Sequence, residues 1–459
     1  MTSVELAVWG LEVTDFPDSV RRAALRHLLD GFGTALGALR TGAAEPAIEV
    51  ASGLGGPPEA SLLGSMTRVS APAAALANGT LVHALDFDDT HAGGLVHATA
   101  VVLPAAFAVG QQVKASGQDV LDAAIIGYET ACRVAAVAPN GFHARGLHAT
   151  MVAGVFSSTL VAARLMRLTP TQAANALGIA GSQAGGLLAF LATGSSTKQL
   201  HPGFASQSGI LAARLAAAGA TGPVTVFDGP HSVYDALASG PIDPTVITAG
   251  LGTFWETERI GIKPYPACQL SHATLDALLD ARSNVDFGPD DVVRVVAQVH
   301  PDSAAVVCDT SRDLTHPASP YAAKFSLPWS SAALITDGRI GLDTFDQASI
   351  DRSEVASLAS RVAWDLSPVA VPAADAAGSV LVRLRDGRNV TGAVLRSTGG
   401  PDQPLTRQAL LAKFQGNAGT QAAELVEVLE TLADQAEVEK VLEAVAHAAA
   451  EGNPAAQQT

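Results

Sequence analysis

The N-terminal half of the chain has the pattern of hydrophobic and polar positions that is typical of helices. In residues 18–39, apolar side chains recur every three or four positions. Residues 102–138 predict two further helices separated at Ser116, and Thr169 followed by Pro170 is a typical helix start, with a capping hydroxyl and then a proline. Because these helices are apolar on most of their sides, they predict a helical bundle of several layers.

The pattern changes from helical to alternating near residue 263. Residues 292–300 alternate in the manner of a strand, and residues 379–395 consist of two alternating runs around Asp386-Gly387, a strong signal of a β-hairpin. After the turn-rich residues 399–406 the chain returns to helices, of which the first is predicted to end at residues 413–414. The tail, EGNPAAQQT, is predicted to be disordered.

These changes predict a mainly α protein with an α+β second domain. Residues 1–262 and 399–459 are expected to form one discontinuous all-helical domain, because the C-terminal helices rejoin the first part of the chain. Residues 263–398 are expected to form a smaller α+β lid domain inserted into it.

The chain is poor in charge, which bears on its partners. Only 16% of residues are Asp, Glu, Lys or Arg, against about 25% in a typical soluble protein. Little solvated surface implies that much helical surface is buried, some of it between subunits, and we expect a homo-oligomer. The net charge of −16 argues against a nucleic-acid partner, which requires a basic footprint. It still allows a small anionic ligand in a locally positive pocket.

The cysteines and the N-terminus indicate a cytoplasmic protein. Cys132, Cys268 and Cys308 lie far apart with no Cys-x-x-Cys pair, which argues against a zinc ribbon or a simple iron–sulfur site. An odd number of cysteines suits a reducing compartment. The N-terminus carries an acid and no basic region, so we expect no signal peptide. No apolar run reaches about 18 residues, so we expect no membrane span.

The first candidate site is the segment HALDFDDTH, residues 83–91, with three carboxylates and two imidazoles. Gly93-Gly94 should break any helix, so Asp86 to His97 is expected to form a loop, a common place for site residues. The acids could bind a metal, take part in proton transfer, or cap helices. The segment matches neither an EF-hand loop nor His-Glu-x-x-His, and we predict no metal.

Two further segments place cations beside imidazoles. In residues 140–150, Arg145 lies between His143 and His148; the arginine could bind a carboxylate while an imidazole exchanges a proton with the neighbouring carbon. In residues 194–209, Lys198 and His201 are three positions apart among small residues. Gly203 predicts a close backbone approach, and the phosphate-loop motif is absent.

A fourth segment lies at the predicted domain junction, where ligand clefts are frequent. It is KPYPACQLSHATLDALL, residues 263–279, and contains Lys263, Cys268 and His272. Cys268 could be a nucleophile or a buried structural thiol.

Taken in order, these segments resemble the MmgE/PrpD family, which includes 2-methylcitrate dehydratases, cis-aconitate decarboxylases and iminodisuccinate epimerases. The matching motifs are HALDFDDTH, GFH and GLHAT, SQAGGLLAF leading to TKQLHPGFASQSG, KPYPAC with SH, YAAKFSLPWS, and GGPDQPLTRQALLAKF. The resemblance covers nearly the whole chain. It implies a large helical domain with a smaller α+β lid, a homodimer, and chemistry on di- or tricarboxylates without a cofactor.

The resemblance also implies the site residues. By motif position the family's site falls on residues Asp86, Thr90, His97, His143 and Lys198, with a last position at either Cys268 or His272. Many dehydratase-like members have Cys-Cys-Arg where this chain has Ala267-Cys268-Gln269, so a carboxylate-binding arginine is lost, and Arg145 could replace its charge. His148, His201 and Lys263 are further candidates for binding substrate.

We therefore expect a lyase that dehydrates a 2-methylcitrate-like or citrate-like hydroxy acid, or decarboxylates a cis-aconitate-like acid. Lys198, His97 and Arg145 would bind the anion. His143 or Lys198 would be the base and another histidine the acid. Asp86 would orient an imidazole, and Thr90 would donate a hydrogen bond.

Three alternatives remain open at this stage: a two-base epimerase of an iminodisuccinate-like acid, a metal-dependent hydrolase using the Asp/His cluster, and a non-catalytic binding scaffold.

Overall fold

The computed structural model describes residues 1–367, 371–419 and 422–452 and divides into two units. A helical unit consists of Met1–Ile260 and Arg407–Thr459, and a sheet unit consists of Gly261–Thr406. The predicted fold class, mainly α with an α+β second part, is confirmed. Residues 453–459 of the tail for which we predicted disorder lie outside the described residues.

The helical unit has long helices from both ends of the chain. In its N-terminal part these are α1 (Thr2–Glu12), α2 (Asp18–Thr41), α3 (Glu45–Leu54), α4 (Ala71–His83), α5 (Thr99–Val113), α6 (Gly117–Ala136), α7 (Gly141–Ala144), α8 (Ala149–Leu165), α9 (Pro170–Gly181), α10 (Phe190–Thr193), α11 (Thr197–Ala217) and α12 (Val233–Leu237). The short strands β1 (Ala60–Ser61), β2 (Arg68–Val69), β3 (Thr90–His91) and β4 (Ile260–Gly261) lie between them or at the end.

The helix starts follow ordinary capping chemistry. The Ser116 hydroxyl accepts a hydrogen bond from the Asp119 N–H, and Thr169 does the same for Gln172, in each case as part of a capping box. The first long helix, in contrast, starts at Asp18 after Pro17, without a capping side chain.

Close packing at the centre of the unit depends on glycine. Every residue of α4 is buried, and α11 packs against both α4 and α8. A Cβ on Gly79 would lie 2.8 Å from the Gly203 backbone nitrogen, and a Cβ on Gly203 would lie 2.2 Å from the Leu76 carbonyl oxygen. The close approach predicted at Gly203 is therefore confirmed, and its partner is α4.

The sheet unit contains the predicted hairpin. Its elements are α13 (His272–Asn284), β5 (Val292–Val299), α14 (Pro301–Val307), α15 (Pro320–Ala323), α16 (Leu327–Asp337), α17 (Gln347–Ile350), α18 (Ser353–Ala359), β6 (Val362–Leu366), β7 (Gly378–Leu384) and β8 (Asn389–Val394). The sheet order is β6-β5-β7-β8, with β5 parallel to β6 and the other pairs antiparallel. Helix α13 packs on β7 and β8, and Trp329, Leu278 and Val382 belong to the core.

The C-terminal helices return to the helical unit. They are α19 (Arg407–Ala418), α20 (Ala423–Glu430) and α21 (Glu439–Gly452). The first of these continues to Ala418, so the predicted helix end at residues 413–414 was wrong; no proline or turn residue stops the helix there. Among the described residues, no helix combines the length and the apolarity needed to cross a membrane.

Candidate active site

The loop between α4 and α5 is rich in buried polar side chains, namely Asp86, Asp88, Asp89, Thr90, His91 and His97. Asp86 has a φ of 52°, a left-handed conformation that is uncommon outside glycine, asparagine and aspartate. Its N–H donates to the His83 carbonyl 3.0 Å away and thus turns the chain as α4 ends. Further along, the N–H of Gly94 donates to His91 Nδ1 over 3.1 Å. This second turn brings the chain back toward α5 and places His97 at its end.

Lys198 and Asp86 form a buried ion pair. Lys198 lies in the first turn of α11, and its Nζ is 2.9 Å from Asp86 Oδ1. Both residues are buried, at 7% and 1% exposure. The close packing of α11 on α4 around Gly203 brings these two helix ends together. We expected Asp86 to orient an imidazole. In the structure its carboxylate oxygen Oδ1 is 2.9 Å from the Lys198 ammonium and 3.9 Å from Nε2 of His97.

His97 is oriented by the backbone of the same loop. Its Nδ1 lies 2.9 Å from the Asp89 carbonyl oxygen, which can only accept, so Nδ1 bears the proton. The Thr90 hydroxyl is 3.4 Å from the same nitrogen. On the other side of the ring, Nε2 is 3.9 Å from Asp86 Oδ1. Any proton that this ring exchanges would therefore enter and leave at Nε2.

The other two carboxylates of the segment hold neighbouring groups in place. Asp88 lies 2.9 Å from Nδ1 of His83 and 3.5 Å from Nδ1 of His97. Asp89 accepts hydrogen bonds from the N–H and the hydroxyl of Thr99, at 3.0 and 2.5 Å, and so caps the start of α5. Its Oδ2 is also 3.1 Å from Nδ1 of His27.

Three histidines around Lys198 stay uncharged at neutral pH. Burial, and then the charge of Lys198, lowers the pKa of His143 to about 4. Burial, followed by the charges of His83 and Lys198, lowers the pKa of His201 to about 4 as well. Burial and the same lysine hold the pKa of His148 well below its usual range. Nδ1 of His148 is 3.1 Å from Nδ1 of His201, so one ring donates and the other accepts.

His143 and Arg145 occupy the short helix α7 and its end. The His143 ring is half-buried, with its centroid 6.2 Å from that of His148. Arg145 is exposed, and its side chain makes no hydrogen bond or ion pair with the described part of the chain. The structure thus places His143 beside the buried His148, whereas the Arg145 side chain is exposed.

Two overlapping groups in this cluster could hold a metal ion. His83, Asp86, Asp88 and His97 form one, and His83, His97 and His148 form the other; in each group the potential ligand atoms lie within 4.8 Å of one another. The donors are nitrogen and oxygen atoms, as zinc or iron would require. The Lys198 ammonium beside Asp86 opposes a second cation at that oxygen.

The sheet unit contains the remaining candidates. The Lys263 ammonium donates to the Ala267 carbonyl oxygen over 3.4 Å, and Nε2 of His272 lies 3.1 Å from the same oxygen. His272 is fully buried and its ring packs edge-on against Tyr265. Cys268, in contrast, is only partly buried.

Sequence reasoning left His83 undecided and gave no role to Lys413. His83 is 1% exposed, and its Nε2 has no hydrogen-bond partner among the residues that the structure describes. A signal was available, because His83 and Asp88 belong to the same short polar segment, HALDFDDTH. Lys413 was visible only as a single cation within the apolar run LLAKF.

Comparison with known proteins gives matches over nearly the whole chain. A model of the MmgE/PrpD N-terminal domain matches residues 6–245, and a model of the MmgE/PrpD C-terminal domain matches residues 265–437. A cis-aconitate decarboxylase of Aspergillus terreus is 27% identical over 441 residues, 91% of this chain and 89% of the relative. The cis-aconitate decarboxylase of Homo sapiens is 28% identical over 436 residues, 91% of this chain and 87% of the relative.

Proposed function

Because the chain belongs to the MmgE/PrpD family, we propose that it is a lyase that decarboxylates a cis-aconitate-like tricarboxylate. The observation that supports this most is the buried group of Lys198, Asp86 and His97 beside three uncharged histidines. Cations and hydrogen-bond donors fixed in a water-poor site stabilise charge that develops on a substrate carboxylate. The names of the relatives point to the same chemistry.

In this proposal the substrate carboxylates bind to donors from the loop and from α11. The Lys198 ammonium and the Thr90 hydroxyl donate to carboxylate oxygens. His97 contributes Nε2, since its Nδ1 is engaged by the Asp89 carbonyl. Because these groups are buried, their attraction for an anion exceeds what it would be in water.

The reaction breaks one carbon–carbon bond and moves one double bond. The carboxylate on the methylene next to the alkene leaves as CO₂, and its bonding pair forms a new double bond to the central carbon. The former alkene carbon takes up a proton. His97 at Nε2 is the proposed proton donor, because the carboxylates of Asp86 and Asp88 stabilise a positive charge on its ring.

Because the pKa of His143 is low, His143 has a different role from His97, the proposed proton donor. At neutral pH it is an uncharged imidazole that can accept a proton or a hydrogen bond, but it holds no proton to give as an imidazolium. A neutral base is what dehydration of a hydroxy acid or epimerisation would require. These two reactions are therefore the alternatives within the same site.

An NMR experiment in D₂O separates the three reactions. Purified protein is mixed with cis-aconitate, citrate, 2-methylcitrate or iminodisuccinate. Decarboxylation gives CO₂ and one deuteron on the former alkene carbon of the product. Loss of water without CO₂ indicates a dehydratase, and deuterium uptake with neither loss indicates an epimerase. Failure to convert any of the four acids would contradict the proposal.

A metal-dependent hydrolase is the second candidate, because His83, Asp86, Asp88 and His97 form a suitable donor group. Exhaustive chelation followed by elemental analysis tests it. We expect the lyase activity to survive with less than about one metal ion per ten chains. A hydrolytic activity that is lost on chelation and restored by one divalent metal, in protein without lyase activity, would favour the hydrolase.

Of the two candidates in the sheet unit, we propose that Cys268 contributes to activity and that His272 stabilises the unit itself. His272 is fully buried within its unit and bonded to its own backbone, whereas Cys268 is partly exposed. Cys268→Ser should lower kcat/KM with little change in Tm. His272→Gln should mainly lower Tm. The reverse result would assign the contribution to activity to His272.

A further inference from the structure

Lys413 is a buried lysine that makes three contacts with the helical unit and has no role in the chemistry above. It lies on α19, which packs against α2. Its Nζ is 2.6 Å from Asp30 Oδ1 and donates to the Phe87 carbonyl oxygen over 2.7 Å. The same ammonium lies 4.0 Å from the centroid of the Phe87 ring, within the range of a cation–π interaction.

Phe87 lies between Asp86 and Asp88, the two loop carboxylates that contact Lys198 and His83. Asp86 precedes it and contacts Lys198, and Asp88 follows it and contacts His83. Asp86 is in the left-handed conformation, which is unfavourable for most residues other than glycine and persists only where the surroundings hold it. The hydrogen bond from Lys413 to the Phe87 carbonyl, together with the ammonium over the Phe87 ring, holds this residue in place.

Asp30 and Lys413 each stabilise the charged form of the other, which burial disfavours. Burial raises the pKa of Asp30 to about 6 against the opposing effect of Lys413. Burial likewise lowers the pKa of Lys413, and Asp30 opposes this. Stability alone does not require such a pair, because buried ion pairs can often be replaced by apolar residues without loss. The additional bond to the loop backbone points to a positional role.

We propose that Lys413, held by Asp30, is a positioning residue that fixes Phe87 and thereby sets Asp86 against Lys198 and Asp88 against His83 and His97. Lys413 touches none of the reacting groups directly. Its effect on turnover rests on the proposed lyase function, whereas its effect on the loop does not.

The test compares Lys413→Met with Lys440→Met, an exposed lysine of the same C-terminal segment. We expect Lys413→Met to lower kcat about tenfold or more while KM changes less than about threefold, because misplaced reacting groups slow the chemical step. Lys440→Met should match the wild type. Lys413→Arg keeps the charge and should restore part of kcat. Wild-type kcat in Lys413→Met would overturn the proposal.

A second readout does not depend on activity. In protein with ¹⁵N-labelled histidine, Lys413→Met should shift the imidazole signals of His83 and His97 and leave those of the exposed His316 and His447 unchanged. Unchanged signals at His83 and His97 would overturn the positioning role. If the wild type converts no tested acid, the proposed lyase function fails, and this comparison still decides the role of Lys413.

Should Lys413→Met not fold, the double variant Asp30→Asn with Lys413→Met serves instead, because it removes both buried charges together. We expect the double variant to fold, with shifted His83 and His97 signals. A folded double variant with wild-type signals would also contradict the proposal.

Discussion

Asp86 shows how much one residue of the cluster depends on distant parts of the chain. Its left-handed backbone follows from the end of α4, and its carboxylate is paired with an ammonium 112 positions away. Removing either charge alone leaves the other buried, which is far more costly than losing both.

The first prediction concerns this pair. Lys198→Met should abolish turnover, by at least about 10²-fold, and lower the free energy of unfolding by roughly 3–5 kcal/mol. The double variant Asp86→Asn with Lys198→Met should recover most of the stability and none of the activity; asparagine suits the left-handed backbone. Urea unfolding measures the free energy of unfolding, and a decarboxylation assay measures turnover. A single variant as stable as the wild type would show that the pair is not charged.

The second prediction uses the low pKa of His201, about 4 in the folded protein against 6.5 for an ordinary histidine. Between these two pH values the unfolded chain binds the proton and the folded protein does not, so stability is lost as the pH falls. His201→Gln should make this loss shallower, by at most about 1.4 kcal/mol per pH unit. The exposed His447→Gln should leave the slope unchanged. Equal slopes in wild type and His201→Gln would refute the assigned pKa.

For single residues, the sequence indicated which polar side chains belong to the cluster. It did not indicate which of these side chains contact one another. The segment around Asp86 was chosen because carboxylates and imidazoles are rare in this chain. The pairing of Asp86 with Lys198 could not be derived, since it depends on how two helices pack. Arg145 was expected to bind substrate, but its side chain is exposed and lies outside the histidine cluster.

Among the elements, the contact between α4 and α11 is the most sensitive to side-chain size. At Gly203 an added methyl group would overlap the Leu76 carbonyl, and neither helix backbone can move without moving a cluster residue. The close backbone approach at Gly203 could be predicted from the local sequence, because only glycine lets two helix backbones come this near to each other.

The third prediction follows from this contact. Gly203→Ala should lower the free energy of unfolding by roughly 1–3 kcal/mol through overpacking. It should also reduce kcat, because Lys198 lies just over one turn earlier on the same helix. Gly53→Ala, in α3 with open space around it, should be neutral or stabilising by up to about 1 kcal/mol. Thermal unfolding of both variants measures the change in stability. If Gly203→Ala were as stable as the wild type, α4 and α11 would not be in close contact.

Elements defined by local signals were predicted correctly, and elements defined by distant pairing were not. The β7–β8 hairpin and the Thr169 helix start follow from turn and capping residues. The parallel pairing of β5 with β6 joins residues 295–299 to residues 362–366 and left no local signal. The stretch from Ala218 to Arg259 was expected to be mostly helical but contains only short helical turns, because Gly and Pro recur in it.

For the whole molecule, the order of the motifs was the decisive information. No single segment identified a family, but their sequence along the chain did, and both family models confirm it. The same order did not select among dehydration, decarboxylation and epimerisation, because under our proposal all three reactions would use the same buried groups.

The fourth prediction concerns assembly. The chain is poor in charge, and Phe204, Leu211 and Leu215 lie on one face of α11 with 37–48% exposure. We expect a homodimer in solution. Light scattering coupled to size exclusion should give twice the chain mass of 46.6 kDa, independent of salt. The mass of one chain at all concentrations would contradict this.

The return of the C-terminal helices to the first unit has a consequence for synthesis. A ribosome completes Asp86, His97 and Lys198 long before it reaches Lys413, and the whole sheet unit is made in between. If Lys413 fixes the loop, a nascent or truncated chain contains every reacting group of this unit but not the working arrangement. The loop would then reach its working arrangement only after α19 has left the ribosome and packed against α2, so a part of the chain made late would complete a cluster made early.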